Sequence, residues 1–288
     1  MITVKRLNRN LMSNPRTVTN ITDAQHTKEG AGVFIWRSIG KQDLPELDPF
    51  LLLDSFGTDN PDDYIAGFPD HPHRGFETVT YMIEGSMRHK DSTGAEGLLG
   101  PGSIQWMTAG KGIVHSEMPE QKEGKMQGFQ LWVNLPAADK MCEPRYQNID
   151  PKDVPVVTTD DGTVIRVLTG TANGVTGPVT GISVDPVYID IAMKSGSTHT
   201  QAITTGHTAF VYAFKGSIEV AGTTVGINQL ALLSDGNEVT LTSQNTGRAI
   251  LISGAPIGEP VARYGPFVMN TKEEISQAIN DFQSGDFL

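Results

Sequence analysis

Short runs of β-branched and aromatic residues alternate along this chain with glycine, proline and small polar residues. Segments 32–35, 77–83, 129–134, 164–168, 187–191, 209–214, 217–220, 238–242 and 249–252 are each four to seven residues long and closed by turn formers. Strands this short at this spacing predict a sandwich or barrel, and so a mainly β protein. The period changes to that of a helix only near the end. There Thr271 and Glu274 have the spacing of a capping box ahead of Ile275, Ala278, Ile279 and Phe282. Between 136 and 155 the strand pattern breaks around Pro136, Pro144, Pro151 and Pro155, which marks a linker.

The pattern repeats. Segment 81–86, YMIEGS, resembles segment 212–217, YAFKGS, at an offset of 131, and segment 100–110 can be laid over 226–236 if the second hairpin is five residues shorter. Each copy reads as strand, tight turn and returning strand. Two similar β-barrels in tandem account together for the length, the glycine spacing and the central break. The expected division is a first domain over 1–140, a linker over 141–160 and a second domain over 161–288 that ends in the helix.

Composition narrows the class. The 288 residues are 38% hydrophobic and 19% charged, an ordinary globular mixture. A net charge of −11 argues against direct nucleic-acid binding. Cys142 is the single cysteine, so no internal disulfide forms, which agrees with a reducing compartment. The first 20 residues lack the apolar core of a signal peptide. The longest apolar run, 209–214, is far below the roughly 20 residues that span a bilayer. A cytoplasmic protein without a membrane segment is expected.

Candidate chemistry gathers in the first repeat. His71 and His73 are two apart, as are His115 and Glu117 about forty residues later. In a strand, residues i and i+2 project from one face, so two such pairs on neighbouring strands would bring three imidazoles and one carboxylate to a point. That is a metal site. At the offsets above, these four positions fall on Ala202, Thr204, Leu241 and Ser243, so the second barrel lacks the ligand set. His199 and His207 are eight apart and read as surface or turn residues. The ligand set contains no thiolate and suits Fe(II), Mn(II), Ni(II), Cu(II) or Zn(II). His89, after the Gly85 turn, is expected to face solvent. Trp106, Met107, Phe129 and Trp132 read as core, with pocket walls the alternative. Arg74 and Lys111 read as surface charge unless they tune the site or bind an anionic substrate.

The segments HPHRGFETVTY (71–81), QWMTAGKGIVHSEMP (105–119) and QLWVNLP (130–136), with DPFLLLD (48–54) upstream and GPFVMN (265–270) before the helix, resemble the pirin family of the cupin superfamily. The resemblance implies an all-β bicupin, two tandem jelly-roll barrels with a short C-terminal helix. It implies that the first barrel alone holds iron, through His71, His73, His115 and Glu117. Other cupins use the glutamate that matches Glu77. Alternation from His73 would keep Glu77 on the ligand face, but the resemblance gives the carboxylate role to Glu117 and leaves Glu77 a supporting one. The implied activity is that of a quercetin 2,3-dioxygenase, which opens a flavonol with O2 and releases carbon monoxide. Glu117 would then be ligand and general base together. The resemblance also permits a redox-sensing regulator that binds a transcription factor or a metabolic enzyme. A monomer is expected, because two barrels can pack within one chain.

Overall fold

A computed structural model describes residues 13–288; residues 1–12, part of the segment read above for export signals, lie outside the described residues. All nine predicted strands are present. Segment 238–242 shows the underlying logic: in Glu238–Thr242, Val239 and Leu241 are buried while their neighbours are half-exposed.

Each half is a pair of sheets. In the first, a seven-stranded sheet runs Arg145–Ile149, Ile104–Thr108, Phe76–Glu84, Met126–Asn134, Phe50–Thr58, Val33–Ile39, Gln25–Glu29. It faces a four-stranded sheet ordered Phe68–His73, Ile113–Pro119, Met87–Asp91, Glu96–Leu99. The second half repeats this topology, and its four-stranded sheet runs Thr198–Ala202, Glu238–Thr242, Ile218–Val220, Thr223–Val225. The result is the bicupin architecture, two jelly-roll barrels in tandem.

The halves exchange their ends. Strand Val18–Asp23 pairs with Gln229–Leu233 and forms an edge of the second barrel's large sheet. Arg16, just before it, is buried and donates to the carbonyls of Gly236, His207, Ser234 and Thr204. In the opposite direction, the hairpin of Ala262–Tyr264 and Phe267–Met269 and the helix Lys272–Ser284 lie against the first barrel. Arg74 fixes them there through Asp281 at 2.5 Å and through the Phe287 carbonyl. The capping box of Thr271 and Glu274 forms as its spacing predicts. Segment 141–160, where the prolines mark a linker, carries the strand Arg145–Ile149, paired with Ile104–Thr108, and a 3-10 turn at Pro151–Asp153.

The central strands of the large sheets are buried on both faces. On Phe76–Glu84, Val79, Tyr81 and Ile83 join Phe129, Leu131, Tyr188, Phe210, Tyr212 and Ile250 in the core between the two halves. Thr78 and Thr80 face the opposite way, into the first barrel, where the repeat offset puts Ala209 and Val211 in the second. The second interior is filled by Ile165, Ile189, Ile191, Val211, Leu241 and Leu251. The first interior keeps polar side chains beside its apolar ones, whereas the second is filled mainly by aliphatic ones, and this difference positions the site.

Candidate metal centre

His71 and His73 end the strand Phe68–His73, and His115 lies on its antiparallel neighbour Ile113–Pro119, directly opposite His71. The three rings converge, with centroids 4.7, 4.4 and 4.9 Å apart and one ring nitrogen from each within 4.8 Å of the others. Each ring has a nitrogen free to act as a ligand. His71 Nδ1 donates to the Pro69 carbonyl at 2.7 Å, which fixes the tautomer and leaves Nε2 free. His115 Nδ1 meets His89 Nδ1 at 3.4 Å, while its Nε2 is buried without a partner. Both nitrogens of His73 are buried without partners. Native interiors rarely leave such atoms unsatisfied, so the donor set fits a divalent metal better than it fits an empty core.

Burial pushes the imidazoles of His73 and His115 well below the usual histidine range, and their histidine neighbours add to the shift. Neutral imidazole is the form that binds metal.

Glu117 lies outside the cluster of three ring nitrogens. A bulge follows His115, so Glu117 pairs with Phe68 across the sheet. Its carboxylate is buried and faces the same cavity as His71 and His73. Thr80 Oγ1 lies 2.6 Å from its Oε1, and Gln130 Nε2 donates to its Oε2 at 3.0 Å.

Several sequence-based expectations need correction. Glu77 is on the other side of the sheet from the ligands. The chain turns at Arg74 and Gly75, with Gly75 at φ 87°, so alternation does not run on from His73. Glu77 instead shares the face of Val79 and Tyr81, where Thr108 donates to it at 2.7 Å. His89 is 1% exposed rather than facing solvent. It supports His115 from behind and packs on Tyr146, with Asp91 at 3.8 Å. His199 and His207 are buried as well. His199 pairs with Leu241 as His71 pairs with His115, so the register puts His199, not Ala202, in the place of His71. Arg74 is no surface charge but the buried anchor of the C-terminal helix, whereas Lys111 is half-exposed and pairs with Glu143. Trp106, Met107 and Phe129 are core residues, and Trp132 alone of the four lines the cavity.

Two residues that sequence reasoning missed line the cavity from distant segments, Arg37 and Arg263. No spacing rule links them to the histidines. His89 lies two residues before Asp91 on Met87–Asp91, a same-face spacing that could have flagged it.

Comparison with known proteins agrees with this fold. Residues 32–133 match the Pirin family and residues 188–288 match the Pirin C-terminal cupin domain. A pirin-like protein of Caulobacter vibrioides is 49% identical over 273 residues, covering 94% of this chain and 99% of the relative. A Pseudomonas aeruginosa protein provisionally named as a quercetin 2,3-dioxygenase is 46% identical over 281 residues, covering 95% and 99%. The crystal structure of a quercetin 2,3-dioxygenase from Acinetobacter baumannii superposes with a TM-score of 0.88 at 34% identity, covering 95% of this chain and 98% of that one. The chain belongs to the pirin family.

Proposed function

We propose that this protein is a metal-dependent dioxygenase that opens the central ring of quercetin or a related flavonol with O2 and releases carbon monoxide. The observation that carries this reading is the convergence of three imidazoles, those of His73 and His115 buried, at the edge of a cavity lined by His71, His73 and the Glu117 carboxylate. The dioxygenase names of a close relative and of a close structural match support it. His71, His73, His115 and Glu117 would hold the metal. Fe(II) is the first candidate, and Mn(II), Ni(II), Cu(II) and Zn(II) suit the same ligands. When bound, the metal lowers the pKa of a coordinated hydroxyl.

The chain's own residues then handle the proton. Thr80 has one hydroxyl hydrogen but two oxygens in reach, Glu117 Oε1 at 2.6 Å and Gln130 Oε1 at 2.7 Å. With Glu117 ionised, Thr80 donates to it and Gln130 Oε1 is left facing a lone pair. With a proton on Glu117 Oε1, Glu117 donates to Thr80, Thr80 donates to Gln130, and every contact is satisfied. Thr80 and Gln130 thus hold the Glu117 carboxylate at the cavity, where it would accept the substrate's hydroxyl proton. Ile35, Leu52, Phe56, Phe68 and Trp132 give the cavity an apolar wall against which an aromatic substrate would pack.

Replacing His73 or His115 by Ala tests the assignment. Both changes are expected to abolish metal retention and O2 uptake with quercetin together, and full turnover by either metal-free variant would overturn it.

A further inference from the structure

The cavity beside His71, His73 and Glu117 has a volume of about 570 Å³, the size of a small-molecule site. Its two arginines are in opposite situations. Arg37 is paired with two carboxylates: Nε and Nη2 grip Asp54 at 2.8 and 2.7 Å, and Nη1 reaches Glu29 at 2.7 Å. Arg263 has no carboxylate within 4 Å among the described residues. It donates Nη1 to the Leu51 carbonyl at 3.2 Å and lays its guanidinium over Trp132, 4.7 Å from the ring centroid. Its remaining donors have no hydrogen-bond acceptor among the described residues, in a cavity whose lining also carries the carboxylates of Glu29, Asp54, Asp70 and Glu117.

Trp132 also touches His73 edge-on, with ring centroids 5.2 Å apart. One indole therefore separates a ligand imidazole from Arg263, and the two legs of 5.2 and 4.7 Å place the guanidinium carbon within about 10 Å of the His73 ring. Burial, reinforced by Arg37 and partly offset by the carboxylates of Asp54, Glu29 and Glu46, holds the Arg263 pKa below its ordinary value, so its charge carries a desolvation cost. A ligand carboxylate would relieve that cost through a charge-assisted, fork-shaped pair.

We propose that Arg263 selects an anionic substrate, an aromatic compound with vicinal oxygens at its metal-facing end and a carboxylate across the ring, held by the Arg263 guanidinium. This rests on the reading of the site as one that binds a chelating substrate, and it narrows the substrate class beyond neutral flavonols. The selecting residue comes from the hairpin Ala262–Tyr264 and Phe267–Met269, almost 150 residues beyond the last ligand. Gly265 and Pro266 of the same hairpin also line the cavity. The C-terminal segment thus contributes specificity to the first barrel as well as covering it.

The test is calorimetric titration of the Fe(II)-loaded protein, without O2, with 3,4-dihydroxybenzoate and with its methyl ester. The two share the chelating oxygens and differ in the charge at the far end. The acid is expected to bind about tenfold or more tightly than the ester, a difference of about 1.4 kcal/mol. Arg263→Gln is expected to bring the ratio near one, and Arg263→Lys, which keeps the charge without the fork, to leave an intermediate preference. Equal binding of acid and ester by the wild-type protein, no binding of the acid, or an unchanged ratio in Arg263→Gln would each overturn the proposal. The wild-type ratio decides even if a variant fails to fold. The titration involves no turnover, so a missing preference counts against Arg263 alone. Absence of O2 uptake with quercetin would count against the dioxygenase reading alone.

Discussion

Thr80 shows how much chemistry rests on one hydroxyl. It stands between Glu117 and Gln130 with one hydrogen for two oxygens, so it marks whether Glu117 carries a proton. Glu117→Gln is expected to lower quercetin turnover by about 10²-fold or more while lowering metal content far less. Thr80→Val keeps the shape and is expected to cost turnover about tenfold with metal content unchanged, because only the proton's path is lost. Wild-type turnover in Glu117→Gln would remove the base assignment. The histidines make a second prediction. Burial lowers the pKa of His73, His89, His115, His199 and His207 in the folded chain, so below about pH 6.5 the unfolded chain binds more protons than the folded one. Stability is then lost as pH falls. Buried Asp54, raised to about 6 despite Arg37, and buried Glu77 act in the opposite sense, but they are two groups against five. The melting temperature of the metal-free protein should fall between pH 7.5 and 5.5; a constant or rising value would contradict this. At this scale the sequence revealed what spacing encodes, the convergence of the three histidines; the same spacing put Glu117 among them, whereas its carboxylate lines the cavity outside their cluster. The sequence concealed what depends on distant neighbours. His89 follows a turn and Arg74 stands in one, and only the strands and helix packed over them make them interior.

At the scale of elements, period and punctuation were legible. Thr271 and Glu274 announced the helix because a capping box is local chemistry, and the glycine turns after Glu84 and Lys215 announced two hairpins for the same reason. The Glu77 misreading came from a turn that alternation could not show. Gly75 ends the first ligand strand at φ 87°, and a Cβ there would stand 2.0 Å from the Val268 carbonyl oxygen. Gly75→Ala is therefore expected to push the C-terminal hairpin off the barrel. The cost in chemical denaturation should exceed about 1 kcal/mol, with faster amide exchange through 262–269. Unchanged stability would show that the hairpin is not held tightly at this point. Exchange of the chain ends between barrels was not legible, because strand Val18–Asp23 carries no sign of which sheet it will join.

The molecule as a whole is two barrels of one topology with different interiors, joined by a core that belongs to both. Asp190 is fully buried at that junction. It receives Arg248 through two nitrogens at 2.8 and 2.5 Å and the Tyr81 hydroxyl, from the first half, at 2.6 Å. With that contact, the shared core and both exchanged ends, the halves should unfold in one calorimetric transition. Asp190→Ala, which leaves the half-buried Arg248 without its carboxylate, should lower that transition by about 1–3 kcal/mol without splitting it. Two separate transitions would show that the barrels are independent. The shared core also explains how one barrel can hold polar chemistry: packing between the sheets and in the second interior supplies stability, and the first interior is free to keep its histidines. The most direct test of the account is the product balance of the protein loaded with each candidate metal and given quercetin under O2. One carbon monoxide released for each O2 consumed, lost in His73→Ala, is the predicted result; a fully metal-loaded protein that consumes no O2 and releases no carbon monoxide would contradict it.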